Sequence, residues 1–456
     1  MTNDSFGRAL PSIRTEIPGP RSITLTDTLA DVECPALTAR RARRREMTGA
    51  PHDPVVWDTA FESNVRDVDG NVFVDMVAGF GAALIGHGHP RVVEAVQRQA
   101  GRMIHALGDV HPSAAKIALE ARLASIAPWP GARVILGLSG SDAVEAALKT
   151  ALLATGRPGV LAFTGGYHGL SHGPLSICGY SAAMREPFRA QLNQSVTFAP
   201  YPMKGRDDLA ERALLEARAA FARGDVGAVV IEPILGRGGV ASADGAVTDS
   251  LVKLAHEHDA VVIADEIYTG LRRLDGESWT ATTKLWNEAP DIVSLGKALG
   301  GTMPVSACLV RDEIAAAWGD PDREVIHTST FLGNPLACEA ALTTLDVLDD
   351  ERTMTSLRGT ADALWSRVLS PLRETRDLGV RGVDGAGLLF GIGLDGGIAR
   401  ALGLVRKLLE RGYIALPGGN AELGATLTFT PPITLADTQI DHFGATLRSV
   451  LREVPG

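Results

Sequence analysis

Between residues 133 and 310 the chain alternates short β-branched apolar runs with stretches whose apolar residues recur at helical spacing. The runs are ARVILGL, GVLAF, SVTFAP, VGAVVIEPI, AVVIADEIY, DIVSLGKAL and PVSACLV, and the first is followed by the helical SDAVEAALKTALLA. Runs so uniformly apolar belong to strands covered by helices on both faces, so the pattern predicts a large α/β domain around a mainly parallel sheet. On either side the pattern changes. VRDVDGNVFVDM sets Asp69, Gly70 and Asn71 between two β-type runs and predicts a hairpin, and RVVEAVQRQAGRMIHA predicts a helix that Pro90 can start. Beyond GNPLACEAALTTLDVL come long helical stretches and then LLFGIGL and TLTFTPP, the pattern of a smaller α+β domain. The first fifty residues show no sustained apolar period and read as an arm. The expected division is an arm and part of the small domain over 1–90, the large domain over 91–340 and the C-terminal small domain over 341–456.

Composition narrows the class. At 456 residues and 45% hydrophobic, the chain is long enough and apolar enough for two globular domains. The opening MTNDSFGRALPSIRTEIPGP lacks the apolar run of a secretory signal. No segment approaches the roughly 18 apolar residues that span a bilayer, so the expected location is the cytoplasm, with no membrane partner. A net charge of −10 argues against a nucleic-acid surface; the run Arg40, Arg41, Arg43, Arg44 and Arg45 reads as a solvated helix face, with anion binding there left open. Cys34, Cys178, Cys308 and Cys338 lack the paired spacing of a zinc site and read as reduced thiols.

Ligands of open α/β sheets gather beyond the carboxyl ends of the strands, so the polar residues that end the apolar runs are the candidates for chemistry. Asp265 ends AVVIAD, where a carboxylate is costly to bury unless it meets a cation or donors; a structural cap is the competing reading. Lys297 ends DIVSLGK between Gly296 and Gly300. It reads alone as a snorkelling surface residue, but in an apolar site it becomes an amine nucleophile. LGLSGSDAVEAALK places Ser139, Gly140 and Ser141 at the start of a helix, where backbone N–H groups and the dipole suit a phosphate or serve as a simple cap. Together the phosphate turn, the carboxylate and the amine suit a phosphorylated pyridine aldehyde, pyridoxal 5′-phosphate.

With SGSDAVEAALK, GGYHG, EPILGRGG, ADEIYTG, SLGKALGG and STFLGNPLA in this order, the chain resembles, from about Asp58 to Pro432, the class III (ornithine/ω-amino acid type) pyridoxal-phosphate aminotransferases. The resemblance implies the aspartate-aminotransferase-like fold, fold type I. It implies that Lys297 forms the Schiff base with the cofactor and acts as the general base, and that Asp265 pairs with the pyridinium nitrogen. By the same resemblance Ile267 and Tyr167 sandwich the ring, Gly140 and Ser141 bind the phosphate, and Glu232 lies near the ring substituents. His168 follows the stacking Tyr167, with a structural role as the competing reading. Thr330 would reach the phosphate of a neighbouring subunit, which makes a homodimer part of the site. Tyr268 replaces the family's Gln, and its phenol can still hydrogen-bond the 3′-oxygen.

Where the chain departs from the family's pattern, it departs at the substrate grips. The Arg that commonly precedes the C-terminal Pro-Pro is Thr428, the acidic partner in the EPxxGE motif is Arg237, and the Arg after the aromatic-x-Gly stretch is Leu170. Arg237 is therefore expected to hold a substrate carboxylate with two parallel bonds, against the reading of a surface Arg beside a glycine turn. The expected activity is amino transfer between an amine or amino acid and a keto acid or aldehyde, through pyridoxamine phosphate. A racemase, epimerase or aminomutase of the same family is the alternative, and a non-catalytic cofactor-binding regulator the third reading.

Overall fold

The computed structural model describes residues 6–320, 322, 324–373, 375, 378–420 and 423–456, so the first five residues of the chain lie outside it. The chain divides into two compact units, one of residues 1–89 with 355–456 and one of residues 90–354.

The first unit opens with two helices, Pro20–Val32 and Pro35–Thr48, in the segment read as an arm, and the second carries Arg40–Arg45 on the solvated helix expected for that run. Proline at the first turn starts each. Their apolar stripe was invisible in the sequence because there is none: the first helix buries only Ser22 and Thr26, and the second buries no residue fully. The hairpin forms as expected, with β1 (Trp57–Phe61), β2 (Asn64–Asp67) and β3 (Val72–Asp75) antiparallel in sequence.

The second unit holds the seven strands of the alternating region. These are β4 (Arg133–Gly137), β5 (Gly159–Phe163), β6 (Val196–Ala199), β7 (Val226–Ile231), β8 (Val261–Asp265), β9 (Ile292–Leu295) and β10 (Ser306–Val310), in the order β4-β10-β9-β8-β7-β5-β6. Strands β9, β8, β7, β5 and β6 are mutually parallel, whereas β10 runs antiparallel to both β9 and β4. Ten residues, 296–305, with a short 3-10 turn at Lys297–Gly300, connect β9 to β10, fewer than the dozen or more that a parallel crossover needs, so the strand reverses. The helix Gly140–Thr155 lies on the sheet through Ala143, Val144, Ala146, Ala147 and Ala151, whose small side chains permit close approach to Val160, Val230, Ile263 and Ile292.

The chain then completes the first unit. β11 (Val380–Ala386), β12 (Leu389–Leu394), β14 (Leu416–Asn420) and β15 (Gly424–Phe429) form an antiparallel sheet, and β13 (Tyr413–Ile414) pairs with β3. All four cysteines are free, and among the described residues no helix is long and apolar enough to cross a membrane.

Candidate active site

Three adjacent parallel strands deliver the central side chains. β7, β8 and β9 end side by side, and the residues just past or at their carboxyl ends are Glu232, Asp265 and Lys297. Strand alternation separates the neighbouring carboxylates of Asp265 and Glu266. The Glu266 side chain accepts from Thr282 N at 3.0 Å and Thr282 Oγ1 at 2.7 Å, and also from Ala281 N, which makes it a buried brace for the 280–282 turn. Burial raises its carboxyl to about 7 against those donors.

A cavity of about 390 Å³ opens at these strand ends, lined by Gly140, Ser141, Tyr167, His168, Gly169, Leu170, Ser171, Glu232, Asp265, Ile267, Tyr268 and Lys297. Of the site residues singled out by sequence, Ser139, Arg237, Thr330 and Thr428 are not on its wall. Ser139 caps the helix Gly140–Thr155: its hydroxyl accepts from Asp142 N at 3.3 Å, and Asp142 Oδ2 accepts from Ser139 N at 3.0 Å. Gly140 and Ser141 thus head a 16-residue helix at the cavity. Thr330 is exposed in the loop before the helix Pro335–Asp349. Thr428 is buried in β15 of the first unit.

Each oxygen of the Asp265 carboxylate accepts one hydrogen bond and keeps a further lone pair. Oδ1 accepts from Ile267 N at 3.1 Å, and Oδ2 accepts from His168 Nδ1 at 2.7 Å, with both residues 4% exposed. Desolvation opposes a charge on His168, but the hydrogen bond and charge of Asp265, with Glu232 beyond, win and raise its pKa. Glu232 accepts from Tyr167 N and Gly236 N, each at 2.8 Å, and so ties together the two loops on that side of the cavity. Burial raises its carboxyl to about 7.

Lys297 has φ 43°, in the left-handed region, and its Nζ lies 3.8 Å from the centroid of the Tyr268 ring. Desolvation lowers its pKa to about 8, helped by the charges of Arg273 and Arg237 and opposed by Asp265 and Glu232. Arg273 was not singled out from the sequence; the fold buries it to 1% exposure. Ser171 was missed as well: its N–H donates to Ser141 Oγ at 3.3 Å, and the two hydroxyls lie 3.0 Å apart.

The walls fit a flat ring carrying a phosphate. A Cβ on Gly140 would stand 3.1 Å from Ile267 Cγ2, and one on Gly169, at φ +122°, would enter the Ser141 hydroxyl, so the cradle is shaped by backbone that must stay bare. With helix N–H groups at one end, a buried carboxylate inside and a readily deprotonated amine beside it, the cavity has the features that pyridoxal 5′-phosphate requires.

The family model for class-III aminotransferases matches residues 48–451. Acetylornithine aminotransferase of Methanothermobacter thermautotrophicus is 31% identical over 401 residues, covering 88% of this chain and 94% of that one. 5-Aminovalerate aminotransferase of Pseudomonas aeruginosa is 32% identical over 440 residues, covering 92% and 98%. Among solved structures, a thermostable (S)-enantioselective omega-transaminase from Thermomicrobium roseum superposes with a TM-score of 0.79 at 26% identity, covering 88% of this chain and 93% of that one. The chain belongs to the class-III aminotransferase family: it is a pyridoxal-phosphate-dependent enzyme that moves amino groups between amino and carbonyl compounds.

Proposed function

We propose that Lys297 is the residue that binds the cofactor covalently and moves the proton during transfer, and that Asp265 faces the pyridine nitrogen. The N–H groups and hydroxyl of Gly140 and Ser141, with Ser139 capping the same turn, hold the phosphate. Tyr167 and Ile267 bracket the ring, Glu232 and Tyr268 stand near its substituents, and His168 orients Asp265 and keeps it charged. When bound, the cofactor supplies an aldehyde that condenses with amines and a ring that withdraws electrons from the substrate carbon. The observation that carries this reading is the convergence of Lys297, Asp265 and the Gly140–Ser141 turn on one cavity.

In this scheme the protein's own work is positional and acid–base. His168 holds the Asp265 carboxylate from behind, so its charge stays where the ring nitrogen needs it. Lys297, at the end of β9, has its ammonium destabilised by burial, so a free amine is available near neutral pH. Covalent attachment of pyridoxal phosphate to the apo-protein, trapped by borohydride reduction, is therefore expected to speed up about tenfold per pH unit and level off near 8. An ordinary lysine would keep gaining to about 10.4. A rate still climbing at pH 10 contradicts the assignment.

The proposed enzyme is a cytoplasmic homodimer in which Thr330, exposed on its own chain, reaches the partner's phosphate. Its substrates are a small amine or amino acid and a keto acid or aldehyde, and Arg237 grips the carboxylate of those that carry one. Arg237→Ala is expected to raise KM for carboxylate substrates by roughly ten- to a hundredfold, the span of one charged hydrogen-bonded contact, with little effect on a neutral amine. Equal losses on both classes would remove Arg237 from this role.

A further inference from the structure

Arg237 sits in an unusual setting for a surface arginine. Its guanidinium carbon lies 4.6 Å from the centroid of the Tyr167 ring and 5.0 Å from that of Tyr180, and those two rings stand edge to face at 6.2 Å and 88°. Among the described residues it makes no ion pair and no hydrogen bond. The backbone on its N-terminal side is anchored, because Gly236 N donates to Glu232, which also accepts from Tyr167 N. Tyr180 is held in turn: its N–H donates to Gly166 O at 2.9 Å, and its ring packs with Tyr167 and Met184 on Leu175, Cys178 and Leu192.

We propose that Tyr180 is a positioning residue for substrate selectivity: with Tyr167 it holds the charge of Arg237 against aromatic rings, leaving its N–H groups for a substrate carboxylate. Aromatic rings satisfy the charge of an arginine without using its donors, and a carboxylate takes two parallel N–H groups in the guanidinium plane. The cation therefore stays in place between turnovers and keeps its donors available. Its charge reaches the reacting end of the cavity, adding to the burial that lowers the Lys297 pKa and working against the burial that raises that of Tyr268. The ligand class is a planar monocarboxylate such as a 2-keto acid. The proposal rests on Arg237 being the carboxylate grip.

The test uses holoenzyme with one amine donor and two three-carbon acceptors, pyruvate with a carboxylate and propanal without one. Tyr180→Leu keeps the bulk packed on Leu175 and Leu192 and removes the aromatic face. It is expected to raise KM for pyruvate about tenfold, with kcat and the KM for propanal within twofold of wild type. Tyr180→Phe retains wild-type values, and Tyr180→Leu adds nothing once Arg237→Ala is present. A Tyr180→Leu enzyme that loses both acceptors equally, loses neither, or adds its full effect to that of Arg237→Ala overturns the proposal. If Arg237→Ala itself fails to separate pyruvate from propanal, the reading of Arg237 as the grip falls instead.

Discussion

Lys297→Ala is expected to lower turnover by at least about 10⁴-fold, because it removes both the covalent attachment and the proton carrier, and general acid–base catalysis alone contributes about 10²–10⁴-fold. The fold should survive. The side chain reaches from a strand end toward the cavity, and alanine inherits the same left-handed backbone at φ 43° at no worse cost than lysine does. Circular dichroism should therefore match wild type, and the Gly140–Ser141 turn should still take up pyridoxal phosphate without a covalent bond. A variant that turned over within tenfold of wild type would mean that another group carries the proton.

Asp265→Asn is the second large effect, expected at about 10³-fold in turnover with folding intact. Asparagine keeps the shape and still accepts from Ile267 N, but it lacks the charge that a cationic ring nitrogen requires. The same substitution should be visible on His168, whose raised pKa depends on the hydrogen bond and charge of Asp265 working against desolvation. In wild-type apo-protein the stabilisation from this pair is complete below about pH 6.5 and disappears as pH rises through the higher folded-state pKa. In Asp265→Asn the imidazole pKa should drop, and a proton NMR titration of His168 reads it directly. An unchanged His168 titration would contradict the pairing.

The strand pattern made most of the second unit legible, since β4 to β10 all fall on the apolar runs read from sequence. What the pattern could not carry was direction. A strand buried on both faces looks the same run either way, and β10 turned out antiparallel because of the short connection through Lys297–Gly300. The helix Pro20–Val32 stayed hidden for a different reason: it buries Ser22 and Thr26 rather than an apolar stripe. Around the cavity, residues with a motif about them, such as Asp265 and Lys297, were singled out in the sequence and line its wall, whereas Tyr180 and Arg273 were not singled out. Tyr180 acquires its meaning only when folding places it beside Tyr167 and Arg237, and Arg273 only when a charged-looking turn is buried.

The most direct measurement mixes holoenzyme with an amine donor in the absence of any acceptor and counts the carbonyl product released. One equivalent of keto acid or aldehyde per active site, with the cofactor converted to the pyridoxamine form, is the outcome expected of an aminotransferase built on Lys297. Inversion of the donor's stereocentre with no carbonyl product and no lasting change in the cofactor spectrum would contradict it and assign the same residues to racemisation.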